Sequence, residues 1–245
     1  MMNINIVIPM AGAGSRFAEA GFEKPKPFID VSGDPMIIRV LENLTCENAR
    51  YILIAREDHL IKEKQLVREI ENNYPVVFHP IGHLTEGATC TVLHARKFIN
   101  NNEPMIIANS DQIVDVNFQG YVNDCLDRDL DGSIMTFKDP EKNNKWSFAR
   151  INSGGLVEEV REKVAISDLA TVGIYMYRKG KYFVNAAIDM IVENERVNNE
   201  FYVCPVYNYA IRNDNRIGVY NIEFEFMHGL GTPEDLKLYL NKSKI

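Results

Sequence analysis

Between Met10 and Pro27 the chain gathers the residue types that bind and neutralise phosphate. Ala11-Gly12-Ala13-Gly14-Ser15-Arg16 comes directly after a short apolar run. Gly12 and Gly14 allow close backbone approach, and free N–H groups in such a loop cradle phosphate oxygens. Glycines between a strand and a helix also serve backbone geometry alone, so the loop gains chemical meaning only from the cations beside it. Arg16 stands two residues after Gly14, and Lys24-Pro25-Lys26-Pro27 adds further cations. Each proline fixes its own φ and pushes the preceding residue extended, so Lys26 is aimed rather than mobile. A fixed ammonium is useful where charge develops. A dinucleotide fingerprint is excluded, because its third glycine would fall at Phe17 and Pro25 and Pro27 interrupt the helix required after it. A Walker loop is excluded because no G-x-x-x-x-G-K-[ST] occurs.

A second chemical group lies at Asn109-Ser110-Asp111, directly after the apolar run Met105 to Ala108. Ligands of open α/β sheets collect at the C-terminal ends of strands. A hard carboxylate there suits Mg²⁺, which takes a few protein oxygens together with phosphates and water. As a helix cap or loop residue, Asp111 needs no ligand at all.

The elements that must position these residues are legible from periodicity. Ile4 to Pro9 reads as a strand, Pro35 to Leu44 as a helix, Tyr51 to Ala55 as a buried strand, and Glu57 to Asn72 as one charged amphipathic helix. Val76 to Phe78 comes next as a strand, Ala88 to Phe98 as a helix and Met105 to Ala108 as a fourth strand. This alternation predicts an α/β fold, a mixed and mostly parallel sheet flanked by helices. After about Gly132 strands are expected at 133–137, 147–152, 157–160 and 171–177, with Ser153-Gly154-Gly155 turning a hairpin. Helices over about 181–193 and 206–212, a strand from Arg216 to Phe226 and a capped helix over 234–240 complete the pattern. One domain is predicted over 1–245, a nucleotide-binding part at 1–130 and an acceptor-side lobe at 131–245.

Composition bounds the function. The chain has 245 residues, with 27 Lys and Arg against 34 Asp and Glu for a net charge of −7, and 46% of its residues are hydrophobic. That is an ordinary globular composition, and at this length no large appended regulatory domain is expected. The acidic balance argues against a nucleic-acid partner, which needs clustered cations. Cys46, Cys90, Cys125 and Cys204 form no C-x-x-C pair and read as reduced thiols. No apolar run is long enough to span a membrane and the N-terminus lacks a signal-peptide pattern, so a cytoplasmic location is expected. His79 and His83 are separated by Pro80 and form no helical metal pair, while His59 and His94 are expected to lack partners.

Taken together, Ile8 to Phe17, Lys24-Pro25-Lys26-Pro27 and Gly33-Asp34-Pro35-Met36-Ile37 resemble the signature of nucleotidylyltransferases that make sugar nucleotides and related activated metabolites, G-x-G-[ST]-R, then P-K-P, then G-x-P-[ML]-[IL]. The similarity continues through Asn109-Ser110-Asp111, Val160 to Lys163, Val172 to Tyr175, Asn199 to Tyr202 and Gly229 to Leu236, almost the whole chain. It implies the nucleotide-diphospho-sugar transferase type of fold. It also implies that an NTP is bound over Ala11, Gly12, Ala13, Gly14 and Ser15, with Asn109 and Ser110 nearby and Gly87 touching the base. Arg16 would hold the departing phosphates, Lys26 would sit between the attacking oxyanion and the α-phosphate, and Asp111 would hold Mg²⁺. On the acceptor side the resemblance assigns Glu162 and Lys163, with Val164 next where the family has proline, together with Gly173 and the Trp146 segment. Where the usual motif reads D-x-G-T, with the Asp as second metal ligand, this chain has Gly229-Leu230-Gly231-Thr232. Glu223 and Glu225, expected on one strand face, are the nearby replacements, and His228 adjoins the gap.

Thymidylyl and uridylyl members often carry Gln five residues before the base-contacting glycine, where this chain has Gly82. A cytosine-preferring or otherwise distinct pocket is the expectation, with CTP the favoured NTP. Ala11-Gly12-Ala13-Gly14-Ser15-Arg16-Phe17 and Lys145-Trp146-Ser147-Phe148-Ala149 are similar to the cytidylyltransferases that couple CTP to phosphoglutamine for capsule phosphoramidate synthesis. The partners so implied are an NTP and a phosphorylated small molecule, without nucleic acid or membrane, and with homo-oligomerisation left open. Two rival readings are a nucleotide-sugar-dependent glycosyltransferase, which usually presents D-x-D where Asn109-Ser110-Asp111 stands, and a catalytically silent nucleotide-binding regulator.

Overall fold

The computed structural model describes residues 3–242, so the predicted domain limits at 1 and 245 fall outside the described residues. The first half runs β1 (Ile4–Pro9), α1 (Ser15–Glu19), a two-residue ladder β2 (Asp30–Val31) and β3 (Asp34–Pro35), α2 (Met36–Asn43), β4 (Ala49–Arg56), α3 (Glu57–Lys62), α4 (Lys64–Asn73), β5 (Val76–Ile81), α5 (Ala88–Leu93), α6 (Arg96–Ile99), β6 (Met105–Ala108), β7 (Gln112–Val114) and α7 (Phe118–Asp127). The second runs β8 (Gly132–Lys138), β9 (Phe148–Ile151), β10 (Val157–Arg161), β11 (Leu169–Tyr177), α8 (Gly180–Val192), α9 (Val206–Arg212), β12 (Ile217–Ile222), β13 (Met227–Gly229) and α10 (Pro233–Lys242).

A nine-stranded sheet forms the centre, with the order β10-β9-β11-β6-β1-β4-β5, and β8 and β12 continuing from β11. β1 lies parallel to both β4 and β6, and β4 lies parallel to β5. β11 runs antiparallel to β6 and β8 and joins the two halves. The expected hairpin is present as the antiparallel pair β9 and β10. The mixed α/β architecture is therefore the one the alternation implied.

The central strands β1, β6 and β11 are buried on both faces, which is why they read as continuous apolar runs. Ile4, Ile6 and Ile8 of β1 point into the core formed with α2 and α7, while Val7 points into the opposite core with α8 and α9. A third, smaller core matters most for the site. Phe17, Ile29, Val31, Met36, Ile113, Leu230 and Leu236 pack together and tie α1, the β2–β3 ladder, β7 and α10 into one unit. Each such fully buried side chain contributes about 1.5–3 kcal/mol.

Four expectations need correction. The helix over 57–72 is two helices, since Glu63 leaves helical geometry at φ −107°, ψ 31°. The helix over 88–98 likewise divides into α5 and α6 around His94 and Ala95. The strand Arg216–Phe226 ends at Ile222, and after a 3-10 turn over Phe224–Phe226 the chain leaves the main sheet to pair as β13 with β7. Glu223 and Glu225 are consequently exposed on that turn, not aligned on a strand face. His94 also has neighbours, since its ring centroid lies 6.2 Å from His79 and 5.9 Å from His83. No described helix is long and apolar enough to cross a membrane.

Candidate active site

The glycine loop leaves the end of β1 and turns into α1. Gly14 is the residue before α1 and takes φ 65°, a left-handed conformation that glycine adopts without cost. A Cβ placed on Gly12 would meet no protein atom within 4 Å, so the backbone there is open to a ligand. Ala11, unlike the exposed Gly12 and Ala13 after it, has its side chain in the core at 5% exposure. The loop opens onto a cavity of about 340 Å³ whose wall includes Gly12, Ala13, Gly14, Ser15, Arg16 and Lys26. Asn109, Ser110 and Asp111 close it from the end of β6.

The extended backbone expected at Lys26 ahead of Pro27 is not found, because two successive turn hydrogen bonds, Phe28 N–H to the Pro25 carbonyl and Ile29 N–H to the Lys26 carbonyl, hold Lys26 in helical geometry. Lys26 opens a 3-10 turn, Lys26–Phe28, with Pro25 at φ −55°, ψ 141° and Phe28 fully buried beneath it. The Lys26 ammonium donates to Asp111 Oδ2, and both side chains are mostly buried. These two residues, 85 positions apart, thus face each other across the cavity floor.

The C-terminal motif reaches the same place through a short ladder. Gly229 pairs with Gln112 and Met227 with Val114 in the β7–β13 ladder, and the Leu230 N–H donates to the Asp111 carbonyl at 2.7 Å. His228 Nε2 lies 2.6 Å from Asp115 Oδ2, which gives this histidine a role in clipping the ladder. Gly231 sits so close to Asp111 that a Cβ there would stand 2.9 Å from Oδ2.

A larger cavity of about 690 Å³ adjoins the first and shares Arg16, Asn109, Asp111 and Gly231 with it. Trp146 forms part of its wall, held edge-on to Phe137 at 5.3 Å between ring centroids. Asp235, from the first turn of α10, is also on this wall. It lies inside the C-terminal motif, but its position four residues beyond Gly231 gives no sign in the sequence that it turns back toward Asp111.

Ala11 and four other residues assigned from the sequence lie outside the walls of these two cavities. Gly87 takes φ 121°, and a Cβ on it would meet the Phe201 backbone at 2.6 Å, so glycine is required there by chain packing. Gly173 takes φ 97° in the irregular part of β11, where the Asn109 side chain fills the space a Cβ would need. The Glu162 carboxylate is buried and accepts a hydrogen bond from Ser147 Oγ; burial raises its pKa, opposed by that bond and by Lys163. Lys163 Nζ donates to Tyr202 Oη at 2.9 Å. Glu223 and Glu225 also line neither cavity.

The donor set suits Mg²⁺. Asp111 Oδ2 already faces a cation, the Lys26 ammonium, and the missing side chain at Gly231 keeps the space beside that oxygen clear. Among the described residues no group of three or more His, Cys, Asp or Glu side chains is arranged to hold a metal. Few protein oxygens completed by phosphates and water is the usual arrangement for this ion. All four cysteines are free, and burial raises Cys46 to about 11 and Cys125 to about 12, so these thiols are poor nucleophiles at neutral pH.

A family model for nucleotidyl transferases matches residues 6–223, and the chain belongs to that family. It is 24% identical over 179 residues to the mannose-1-phosphate guanylyltransferase catalytic subunit beta of Drosophila melanogaster, covering 70% of this chain and 47% of that protein. It is 22% identical over 199 residues to the bifunctional protein GlmU of Methanococcus maripaludis, covering 79% of this chain and 44% of that one. The chain thus spans about half the length of these curated relatives. A nucleoside-diphosphate-sugar pyrophosphorylase structure from Vibrio cholerae RC9 superposes with a TM-score of 0.81 at 23% identity, covering 96% of this chain and 99% of that one. The inositol-1-phosphate CTP transferase of T. maritima superposes with a TM-score of 0.76 at 12% identity, covering 100% and 96%. These superpositions establish the nucleotide-diphospho-sugar transferase type of fold.

Proposed function

We propose that the chain is a Mg²⁺-dependent nucleotidylyltransferase that transfers NMP from an NTP, CTP for preference, to a phosphorylated small molecule. The observation that carries this reading is the convergence of Arg16, Lys26 and Asp111 on one cavity over the open Gly12–Gly14 loop. An oxygen of the acceptor phosphate forms a bond to the α-phosphorus, the bond from that phosphorus to the bridging oxygen breaks, and the electron pair leaves with pyrophosphate. The loop N–H groups bind the triphosphate, Arg16 holds the β- and γ-phosphates, and Lys26 neutralises charge between the attacking oxygen and the α-phosphate. Asp111 steers the Lys26 ammonium and, with Mg²⁺ bound, holds a cation that offsets phosphate charge. Trp146 walls the space on the acceptor side. Gly87 and Ala11 contribute backbone to the base pocket, and Glu162, Lys163 and Gly173 shape the acceptor lobe behind it.

The CTP preference rests on Gly82 and its neighbour Glu57. The Glu57 Oε2 lies 4.0 Å from where a Cβ on Gly82 would stand, the position at which thymidylyl and uridylyl relatives carry glutamine. A carboxylate only accepts, so it suits the exocyclic amine of cytosine and opposes the O4 carbonyl of uracil or thymine. The product would be a CDP-linked metabolite for capsule or polysaccharide assembly, with phosphoglutamine as the first acceptor to examine, and the enzyme would work in the cytoplasm.

The test is a pyrophosphate-release screen of the NTPs against phosphorylated sugars, alcohols and amides. CTP is expected to lead, and Glu57→Gln is expected to narrow the CTP-over-UTP preference by about tenfold, the worth of a hydrogen bond to a charged group. Equal turnover of all NTPs, or an unaltered preference in the variant, contradicts the base assignment.

A further inference from the structure

We infer that Asp235 supplies the second carboxylate of the metal site, replacing from a helix the one that the family places in the strand position held here by Gly229. The inference rests on the nucleotidylyltransferase reading and concerns a residue which that reading does not use. Gly229 has no side chain to offer a cation. A Cβ built on it would lie 3.9 Å from both Cγ and Oδ2 of Asp235, so the Asp235 carboxylate lies beside the path a side chain at 229 would take. Two residues further on, the Cβ position of Gly231 lies 2.9 Å from Asp111 Oδ2. The Gly229-Leu230-Gly231 segment therefore runs past one carboxylate at each end. Both carboxylates, with Arg16, line the same cavity.

The placement of Asp235 is set by local structure. Thr232 Oγ1 accepts from the Asp235 N–H at 3.1 Å, and Pro233 opens α10, which fixes the helix start beside the ladder. Leu236, buried in the third core at 4% exposure, sets the rotation of that first turn. Asp235 in this position of the helix could serve only as a partner of the helix terminus. Yet among the described residues its carboxylate makes no hydrogen bond and no ion pair, although it is half-buried. Asp111 by contrast has the Lys26 ammonium. An unpaired carboxylate facing a cavity lined by a paired one is the charge arrangement a divalent cation satisfies. Mg²⁺ keeps several waters when it is bound through phosphates and one or two carboxylates, so the second carboxylate can act on the ion directly or through one of those waters.

The experiment measures Mn²⁺ binding by electron paramagnetic resonance in the presence of the α,β-methylene analogues of CTP, GTP and UTP, which no turnover can consume. Wild type, Asp111→Asn, Asp235→Asn and the double variant Gly229→Asp/Asp235→Asn are compared, with thermal unfolding recorded for each. Asp235→Asn is expected to weaken Mn²⁺ about tenfold with the analogue that binds, with an unfolding midpoint close to that of wild type. The double variant is expected to recover most of that loss, because the carboxylate returns to the strand position. Wild-type Mn²⁺ affinity in a folded Asp235→Asn, or a loss that Gly229→Asp does not repair, overturns the inference while leaving the nucleotide reading intact. Failure of wild type to bind Mn²⁺ with any of the analogues removes both.

Discussion

Lys26 and Arg16 differ at the residue scale in how each is held. Lys26 is fixed twice, by Pro25 and Pro27 in the backbone and by Asp111 at its ammonium, whereas Arg16 projects from α1 and shares both cavities. A preorganised cation costs nothing to reorganise when charge develops on the transferring phosphate. Lys26→Ala is therefore expected to lower turnover by about 10² to 10³, with Arg16→Ala close behind, while CTP binding weakens far less for Lys26 than for Arg16. Steady-state kinetics with direct nucleotide titration check this, and a Lys26→Ala enzyme with near-normal turnover would show that the transfer runs without that ammonium. The glycines divide in the same way. Gly12 is open to a ligand, but Gly87 is occupied by the Phe201 backbone, so substitution at 87 reports on folding before it reports on nucleotide.

At the scale of elements, the site depends on a clip between distant segments. β7 and β13 are three residues each, and their ladder carries the C-terminal glycines to Asp111. Gly231→Ala puts a methyl 2.9 Å from Asp111 Oδ2 without touching a main-sheet strand. The expected outcome is a loss of turnover of at least about tenfold, one misplaced catalytic contact being worth that or more, with the unfolding midpoint nearly unchanged. A folded variant with full turnover would mean that Asp111 need not keep its present position. This clip also marks where the sequence was silent. β1, β6 and α9 coincide with their expected limits because their hydrophobic pattern is local and strong. The β7–β13 pairing joins residues more than a hundred positions apart, so no local period announces it. α7 is not legible in the sequence either, since Gly120 and Asn123 dilute the apolar stripe of Phe118, Tyr121, Val122 and Cys125 that buries it. The break at Glu63 has no proline or glycine to signal it. The glycine loop and its cations were legible because their meaning lies in residue type and short spacing. Asp235 was not, because its meaning lies in where α10 is turned.

For the whole molecule, a net charge of −7 coexists with two cations, Arg16 and Lys26, on the wall of the cavity over the glycine loop. Two acidic residues are buried among those described, Asp139 and Glu162, each at 8% exposure, and Glu162 is the one whose titration burial shifts. Burial raises its pKa in the fold above the ordinary carboxylate value near 4.3. Stability from this group is complete below the unfolded pKa and is lost as pH rises through the folded one. Glu162→Gln removes that titration, so the midpoint of the variant minus that of wild type is expected to rise as pH increases above the ordinary carboxylate value of about 4. Calorimetry at a series of pH values measures the difference, and a flat or falling one would show that Ser147 and Lys163 hold the carboxylate ionised throughout.

The central claim is that the cavity over Gly12–Gly14 cuts a nucleotide between its α- and β-phosphates. Turnover with CTP labelled with ³²P at either the α or the γ position, in the presence of phosphorylated acceptors, tests it most directly. The expected result is α-label in a CDP-linked product and γ-label in pyrophosphate, both lost together in Asp111→Asn. Appearance of γ-label as orthophosphate with α-label in CDP, or no movement of either label with any acceptor, would contradict it.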